Sequence, residues 1–218
     1  MQLIMDKNSN QTSSKETSRI EAFSDGVFAI AITLLVLDIH VPEVKGSESL
    51  LQPILKQWPN YLAFGIGFFT ILVCWINHHC MFDYIHKSDG SLLLLNGFKL
   101  LIVSFTPFVT SILSKYIGTA HQQTSVCLYA FNFFLMGFAM FLIWDYARRK
   151  GYIKAVPHEN LIAVTRLYRL AGIFSAMIFI VSFATTMGAL VLSLIMFFIF
   201  MFPRKSIRFL TKRQLISA

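Results

Sequence analysis

Six apolar segments follow one another along this chain, separated by short polar stretches. They cover roughly residues 20–40, 54–82, 91–114, 125–147, 161–184 and 187–203. A helix needs about 20 residues to cross the hydrocarbon core of a bilayer, and every segment except the last reaches that length. The pattern predicts an all-α integral membrane protein with six transmembrane helices. Between the last two segments only TTMGAL (residues 185–190) remains, so we expect a tight hairpin that turns at Gly188, because glycine permits a reversal of the backbone.

The composition agrees with a membrane protein and argues against a disulfide-rich protein and a nucleic-acid-binding protein. Of the residues, 56% are hydrophobic and 14% are charged, whereas a soluble domain carries about 25% charged residues. Three cysteines among 218 residues give no disulfide framework. The net charge of +8 could suggest a nucleic-acid partner, but the basic residues form short clusters between apolar segments, as topology signals do. We therefore expect no nucleic-acid partner.

These basic clusters also predict the orientation and the division of the chain. If the N-terminus is cytoplasmic, the clusters at 148–154 and 204–213 are cytoplasmic too, and the opposite loops hold only three lysines. Cytoplasmic loops carry the excess of Lys and Arg, so both termini are predicted in the cytoplasm of a cell-membrane protein. Residues 1–18 (MQLIMDKNSNQTSSKETS) contain no secretory signal and are predicted to be a disordered tail. Residues 19–203 would form the membrane domain, and 204–218 a basic cytoplasmic segment.

Polar side chains concentrate at two places inside the predicted membrane region. An ionisable residue in a bilayer is costly and is usually paired or in contact with water. The first place is the start of helix one, RIEAFSDGVFAIAITLLVLDI (residues 19–39), and the second is the end of helix two, WINHHCMFDYIH (residues 75–86). By the predicted topology both lie at the cytoplasmic side. We expect Arg19 to neutralise Asp25, and Asn77 and the histidines to satisfy the remaining acceptors.

Helix one also carries an apolar stripe. Ile30, Thr33, Leu34 and Leu37 stand at i, i+3, i+4 and i+7, so they share one helix face. Asp25 lies about 140° around the helix from Ile30. Such a stripe more often packs against lipid or protein than it lines a pore, and the sequence pattern alone leaves these alternatives open. A lone Thr33 usually bonds its hydroxyl to the preceding helical turn.

Asp38 lies one turn beyond Leu34, at the end of the stripe. If several subunits contributed helix one to a common axis, this residue would form an acidic ring at the outer mouth, and such rings concentrate cations. The alternative is a solvated carboxylate at the membrane interface.

The motif Arg-x-x-x-Phe-Ser-Asp at Arg19, Phe23, Ser24 and Asp25 resembles the signature of the transmembrane protein 175 family of potassium channels, in its short prokaryotic form. The resemblance extends to WINHH (residues 75–79) and to NGFKLLIVSFTPF (residues 96–108). It covers most of the first 110 residues by motif and the rest by topology.

The resemblance implies a homotetramer in which the first helix of each subunit lines a central pore for passive potassium flux. It implies a hydrophobic constriction at Ile30, Leu34 and Leu37 in place of a Thr-Val-Gly-Tyr-Gly filter, and a contribution of Thr33 to ion selectivity. Potassium would be the permeant ion, and no cofactor, metal or enzyme activity is expected; membrane lipids would be the other partner. A structural polar network would hold helix one, formed by Arg19, Phe23, Ser24, Asp25, Trp75, Asn77 and His78 or His79.

Two other functions compete with a channel. His79, Asp83 and His86 stand at i, i+4 and i+7, a spacing that suits metal ligation, so a membrane zinc hydrolase is one alternative; no nucleophile motif accompanies it. The other alternative is a proton-conducting pathway or secondary transporter that uses Asp25 and His78 or His79. Such transporters often contain inverted repeats and broken helices, and the sequence has no evident second half-helix.

Three basic residues fall inside the predicted helices and have no place in the network described above. Lys99, Arg166 and Arg169 lie in helices three and five. A long cationic side chain can extend along apolar surface until its charge reaches the interface, and we expect this of all three.

Overall fold

The computed structural model describes residues 2–43 and 49–217, with side chains for 17–43 and 49–211. Residues 1, 44–48 and 218 lie outside the described part, including one of the three lysines in the opposite loops. The helices are α1 (Gln2–Leu34), a 3₁₀ helix (Leu35–Asp38), α2 (Leu51–Lys56), α3 (Trp58–Phe82), α4 (Gly90–Tyr116), α5 (Gln122–Arg149), α6 (His158–Ser182), α7 (Thr186–Phe200) and α8 (Pro203–Ser217). Within the described ranges, the β-type pairing is limited to an isolated bridge between Ile85 and Ile153.

The all-helical membrane architecture predicted from the sequence is confirmed. Five helical segments are long and apolar enough to cross a bilayer, namely Thr17–Asp38 and the helices α3, α4, α5 and α6. The sixth predicted span differs from the others. Helix α7 has 15 residues, and it is followed after a short break by α8 at an angle of 75°. Pro203 begins α8, since proline fits the first turn of a helix.

Helix α1 differs at both ends from its predicted extent. Its backbone is helical from Gln2, through the segment for which we expected a disordered tail. The side chains before Thr17 lie outside the described residues, and the division into tail, channel domain and basic segment stays a prediction. At its other end the helix tightens into 3₁₀ geometry from Leu35 to Asp38, so the α-helical spacing that we assumed for the stripe stops before Leu37.

The connection between α6 and α7 is tight, but Gly188 does not make the turn. Residues 183–185 connect the two helices, and Gly188 lies within the first turn of α7 without a positive φ. The prediction of a turn at Gly188 is therefore wrong. The Thr185 hydroxyl caps α7 by accepting from the Gly188 N–H at 3.2 Å. A Cβ at position 188 would lie 2.6 Å from Thr185 Cγ2, so glycine is required here for close approach to the capping residue.

The bundle places α1 at its edge. Helix α1 packs against α3 and α4, while α5 packs extensively against α4 and α6, and α6 also contacts α7 and α8. Of the five spans, the first is the least buried, with 28% of its apolar window inside the subunit against 33% to 50% for the others. The subunit therefore covers the first span least, and α6 next, with 33% of its window buried.

Candidate functional site: the exposed face of the first helix

Helix α1 and the following 3₁₀ turn have one face in contact with the subunit. This face consists of Ile20, Ser24, Phe28, Ala31 and Leu35, all of them buried. The residues recur every three or four positions, as expected for one side of a helix. Their side chains pack against α3 and α4 and fix which way the rest of α1 points.

The predicted stripe lies away from this buried face. Ile30 and Leu37 are 61% and 67% exposed, Leu34 is 43% exposed, and Thr33 is also exposed. At 100° per residue, Thr33 lies about 180° from the centre of the buried face. Leu37 belongs to the 3₁₀ helix, where each residue turns the chain by about 120°. The stripe therefore continues beyond Leu34 with a changed angular position.

Two polar groups accompany the stripe. The Thr33 hydroxyl donates to the carbonyl oxygens of Ala29 and Ile30, at 3.0 and 2.9 Å. Because its proton is directed at the helix backbone, the oxygen keeps lone pairs for another partner. Asp38 ends the 3₁₀ helix and is partly exposed, and its backbone carbonyl accepts from Asn60 Nδ2 at 3.1 Å. This bond ties the end of the stripe to α3.

A buried polar cluster holds the other side of α1. We call it the anchor cluster: Ser24 and Phe28 from α1, His78 from α3, and Asn96 and Lys99 from α4. The Ser24 hydroxyl donates to the Ile20 carbonyl at 2.8 Å and accepts from Asn96 Nδ2 at 3.0 Å. The Phe28 ring lies 5.6 Å from the His78 ring and 5.0 Å from Lys99 Nζ. Hydrogen bonds and a cation–π contact thus fix the rotation of α1.

Lys99 does not extend to the interface as we expected. Its side chain is fully buried, and its Nζ donates to His78 Nδ1 across 2.6 Å. The prediction was wrong for Lys99 because this residue faces α1 and α3, which cover the whole side chain. Arg166 and Arg169 on α6 are exposed. Asn96 and Lys99 were both missed as members of the anchor cluster, although the sequence contained a signal for them. They stand at i and i+3 in an apolar helix, and an ionisable residue in such a helix suggests a functional role.

A second set of polar contacts lies at the exposed side of the α1–α3 crossing. We call it the edge chain: Glu21 and Asp25 from α1, and Trp75 and His79 from α3. The Trp75 indole N–H donates to Asp25 Oδ1 at 2.8 Å. The Trp75 and His79 rings stack at 6.1 Å, and His79 Nδ1 lies 4.0 Å from Glu21 Oε2. The two adjacent histidines therefore have different environments, His78 in the anchor cluster and His79 in the edge chain.

Three residues assigned to the network lie elsewhere. Arg19 is exposed and forms no ion pair with Asp25 among the described side chains, because six residues place them about 9 Å apart along α1 and on different sides of it. The Phe23 ring is 68% exposed. The Asn77 amide donates to the Phe200 carbonyl at 2.8 Å, so it joins α3 to α7, and it has no hydrogen bond to the described side chains of α1.

Asp89 fixes the start of α4, which carries Asn96 and Lys99. Its carboxylate caps the helix by accepting from the Leu92 N–H at 2.8 Å. The other oxygen accepts from the hydroxyls of Tyr146 at 2.6 Å and Tyr152 at 3.0 Å. These bonds, that of Tyr146 first and that of Leu92 next, stabilise the ionised form and lower the pKa of Asp89. The residue thus links α4 to the end of α5.

The spacing that suggested a metal site does not assemble one in the described part of the chain. His79 belongs to the edge chain, and Asp83 accepts from Arg204 at 2.9 Å. No group of three or more His, Cys, Asp or Glu side chains that could hold a metal ion occurs among the described residues.

The exposed helix α1 and its anchor lie in the region that known proteins share with this chain. A family described as "Endosomal/lysosomal potassium channel TMEM175" matches residues 19–107. A protein of Chamaesiphon minutus, named as a potassium channel, is 41% identical over 174 residues, which are 78% of this chain and 83% of that protein. The chain belongs to the TMEM175 family. A second relative, from Streptomyces collinus and also named as a potassium channel, is 38% identical over 139 residues, covering 63% of this chain and 68% of the relative.

The fold is shared with a solved TMEM175 structure. The crystal structure of a lysosomal potassium-selective channel TMEM175 homologue from Chamaesiphon minutus has a TM-score of 0.78 and 35% identity, covering 88% of this chain and 98% of that one. A more distant relative from Gallus gallus, named as an endosomal/lysosomal proton channel TMEM175, is 38% identical over 113 residues. Those residues are 48% of this chain and 23% of the Gallus gallus protein.

Proposed function

We propose that this chain forms a homotetrameric, potassium-permeable cation channel in the cell membrane, with helix α1 of each subunit around the central axis and both termini in the cytoplasm. The observation that carries the proposal is the unequal burial of the two faces of α1. One face is fixed to the subunit by the anchor cluster, and the opposite face, with Ile30 and Thr33, is left uncovered.

The composition of the uncovered face favours a second copy of the chain over lipid. Gly26, Ala29 and Thr33 lie on this face beside Ile30, and all four are exposed. Small and hydroxylated residues are enriched where helices approach each other in membranes. A lipid-facing surface has no need of them. The relatives named as potassium channels support an ion-conducting role for such an assembly.

The mechanism follows from the order of side chains along this face. Rings of Ile30, Leu34 and Leu37 from the subunits would form an apolar constriction, which blocks ions by dewetting or by direct closure. Rings of Thr33 would offer hydroxyl oxygens to a partly dehydrated potassium ion, because the hydroxyl protons are already directed at backbone carbonyls. Rings of Asp38 would raise the cation concentration at the outer mouth.

A proton-conducting pathway is the second candidate, supported by the Gallus gallus relative named as a proton channel. The two groups expected to carry the proton, Asp25 and His78, lie in different parts of the subunit. Asp25 is exposed and accepts from Trp75, while His78 is buried and bonded to Lys99. A proton route would therefore use the edge chain, through Asp25 and His79. In a flux assay, proton movement without potassium movement would favour this candidate.

The test is flux from liposomes that contain the purified chain, with potassium, sodium and proton gradients compared. We expect potassium to pass, and Ile30→Asn to increase the cation leak, because a polar ring hydrates the constriction. Ile173→Asn is the matched control, since Ile173 on α6 is 58% exposed and lies outside α1. Unchanged flux in Ile30→Asn, or an equal increase in both variants, would contradict the assignment of α1 to the pore.

A further inference from the structure

Helix α8 lies across the direction of the preceding membrane helix. The axes of α7 and α8 differ by 75°. Membrane helices are tilted by about 20° on average, so a helix that leaves α7 at this angle lies close to the membrane plane. Amphipathic helices that carry Lys and Arg on one face adopt this position at bilayer interfaces. The geometry thus places α8 where phospholipid headgroups are found.

The two faces of α8 differ in the way that such a helix requires. Pro203 and Ile207 are buried against the bundle, where α8 packs mainly on α6. Lys205, Arg208 and Phe209 are exposed. The exposed face therefore combines positive charge with a large apolar ring.

An open apolar groove runs along the inside of the bend where α6, α7 and α8 meet. We call it the elbow groove: it is lined by Leu170, Phe174, Phe198, Phe202, Lys205 and Phe209. These five apolar side chains are exposed, Phe198 by 71% and Phe209 by 65%, whereas Leu167 and Phe200, which also line the groove, are buried. The groove begins beside the membrane-spanning helices α6 and α7 and ends at the cation of Lys205.

Lys205 lines this end of the groove, and Arg208 stands three residues further along α8, outside the lining residues. Lys205 Nζ lies 4.9 Å from the centre of the Phe202 ring, and neither Lys205 nor Arg208 forms an ion pair with a described side chain. Arg166 is exposed on α6, four residues before Leu170 and so on the same side of that helix. Arg204 differs from them, because it is paired with Asp83 at 2.9 Å.

We propose that the elbow groove binds an anionic phospholipid, with the headgroup phosphate on Lys205 and Arg208 and one acyl chain along the phenylalanine-lined part. Three observations point to a lipid as the occupant. The groove joins an apolar channel to unpaired cations, its apolar part lies beside membrane helices, and the bend sets the cations at headgroup depth. Arg166 adds positive charge at the border of the same site.

The Arg204–Asp83 ion pair gives this site a connection to α1. Asp83 caps α3 at its C-terminal end, and α3 carries the Trp75 and His79 of the edge chain. A lipid bound to α8 is therefore linked to the helix that carries the exposed stripe by two contacts, Arg204 with Asp83 and Trp75 with Asp25.

The test uses the full chain in detergent and measures bound lipid by native mass spectrometry. Palmitoyl-oleoyl phosphatidylglycerol is titrated against the phosphatidylcholine with the same acyl chains. Each cation near an anionic lipid contributes roughly fivefold to binding, so Lys205→Gln/Arg208→Gln should weaken phosphatidylglycerol binding by about 30-fold. Lys56→Gln/Lys87→Gln is the matched control, because it removes the same charge from exposed positions outside α8 and should leave binding unchanged.

The apolar part of the site is tested separately. Phe209→Ala should weaken phosphatidylglycerol binding while leaving all the charges in place, and glycerol 1-phosphate should compete poorly with the lipid. Equal binding of the two lipids by the parent, or equal loss in the α8 and control variants, would overturn the headgroup assignment. Full competition by glycerol 1-phosphate would make the groove a simple anion site and overturn the lipid assignment. Unchanged binding in Phe209→Ala would remove the acyl-chain part.

Discussion

Gly67 on α3 provides the sharpest test of how α1 is held behind its exposed face. A Cβ at this position would lie 2.9 Å from both Thr110 Cγ2 and Thr110 Oγ1, and 3.0 Å from Leu35 Cδ2. Rotation of Thr110 gives little relief, because both branches of its side chain are at the contact, and its hydroxyl is bonded to the Thr106 carbonyl at 2.8 Å. Leu35 is the first residue of the 3₁₀ helix. The change Gly67→Ala therefore pushes on α4 and on the 3₁₀ helix that continues α1.

Two opposing effects determine how much Gly67→Ala changes the free energy of unfolding. Overpacking a tight interior costs about 1 to 3 kcal/mol, while replacing glycine by alanine within a helix gains about 0.8 to 1.0 kcal/mol. Gly65 is the matched control, because it lies on the same helix and a Cβ there would meet nothing within 4 Å. The difference in unfolding free energy between Gly67→Ala and Gly65→Ala thus isolates the overpacking cost. For a chain of this size it corresponds to about 2 to 12 °C in melting temperature.

The assay is thermal unfolding of each purified variant in the same detergent, followed by potassium flux from liposomes. We expect Gly65→Ala to melt at or above the parent temperature and Gly67→Ala to melt below Gly65→Ala by the stated amount. Flux through Gly67→Ala should also change, because a displaced Leu35 moves the turn that carries Leu37. Equal melting temperatures for the two variants would refute the close packing of α1, α3 and α4 at this point.

Three further outcomes test individual contacts. Thr33→Ala should lower the potassium-over-sodium permeability ratio, and an unaltered reversal potential under bi-ionic conditions would remove this hydroxyl from the selectivity element. Asp25→Ala and Trp75→Phe should each lower the stability of the proposed tetramer; in a double-mutant cycle we expect a coupling of about 1 kcal/mol, and strict additivity would contradict the bond between the two side chains. Because the pKa of Asp89 is lowered in the folded protein, its stabilising effect is present above the ordinary Asp pKa and is lost as pH falls through the lowered pKa. Asp89→Asn should therefore melt at a lower temperature than the parent at neutral pH and show a smaller loss on acidification, and parallel melting curves for the two proteins from pH 7 to about pH 3 would contradict this.

The sequence predicted those parts of the fold that depend on local periodicity. The apolar segments lie close to α3, α4, α5, α6 and α7, and the helical wheel placed the Ile30 stripe apart from Asp25. These two predictions succeeded because segment length and the 3.6-residue period are properties of single helices.

The bend after α7 was not predicted. We took the sixth apolar segment to end at residue 203, although a proline at that position is a signal for the start of a new helix.

The contacts that hold α1 could not be predicted in the same way. Lys99 is an isolated cation in an apolar helix, and its burial depends on which face of α4 meets α1 and α3. The two adjacent histidines could be separated only by the rotation of α3, which directs His78 inwards and His79 towards Glu21. Arg19 and Asp25 were assumed to pair because they share a motif, yet the rise of the helix keeps them apart.

In the proposed channel, the four residues from Leu35 to Asp38 would give the helix around the axis a means of changing shape without tilting. A 3₁₀ helix rises about 2.0 Å and turns about 120° per residue, against about 1.5 Å and 100° in an α-helix. Rewinding these residues into α geometry would shorten the segment by about 2 Å and rotate Leu37 by about 60° relative to Leu34. Local winding at the end of α1 would then set the width of the proposed constriction, while the anchor cluster around Ser24 stays in place.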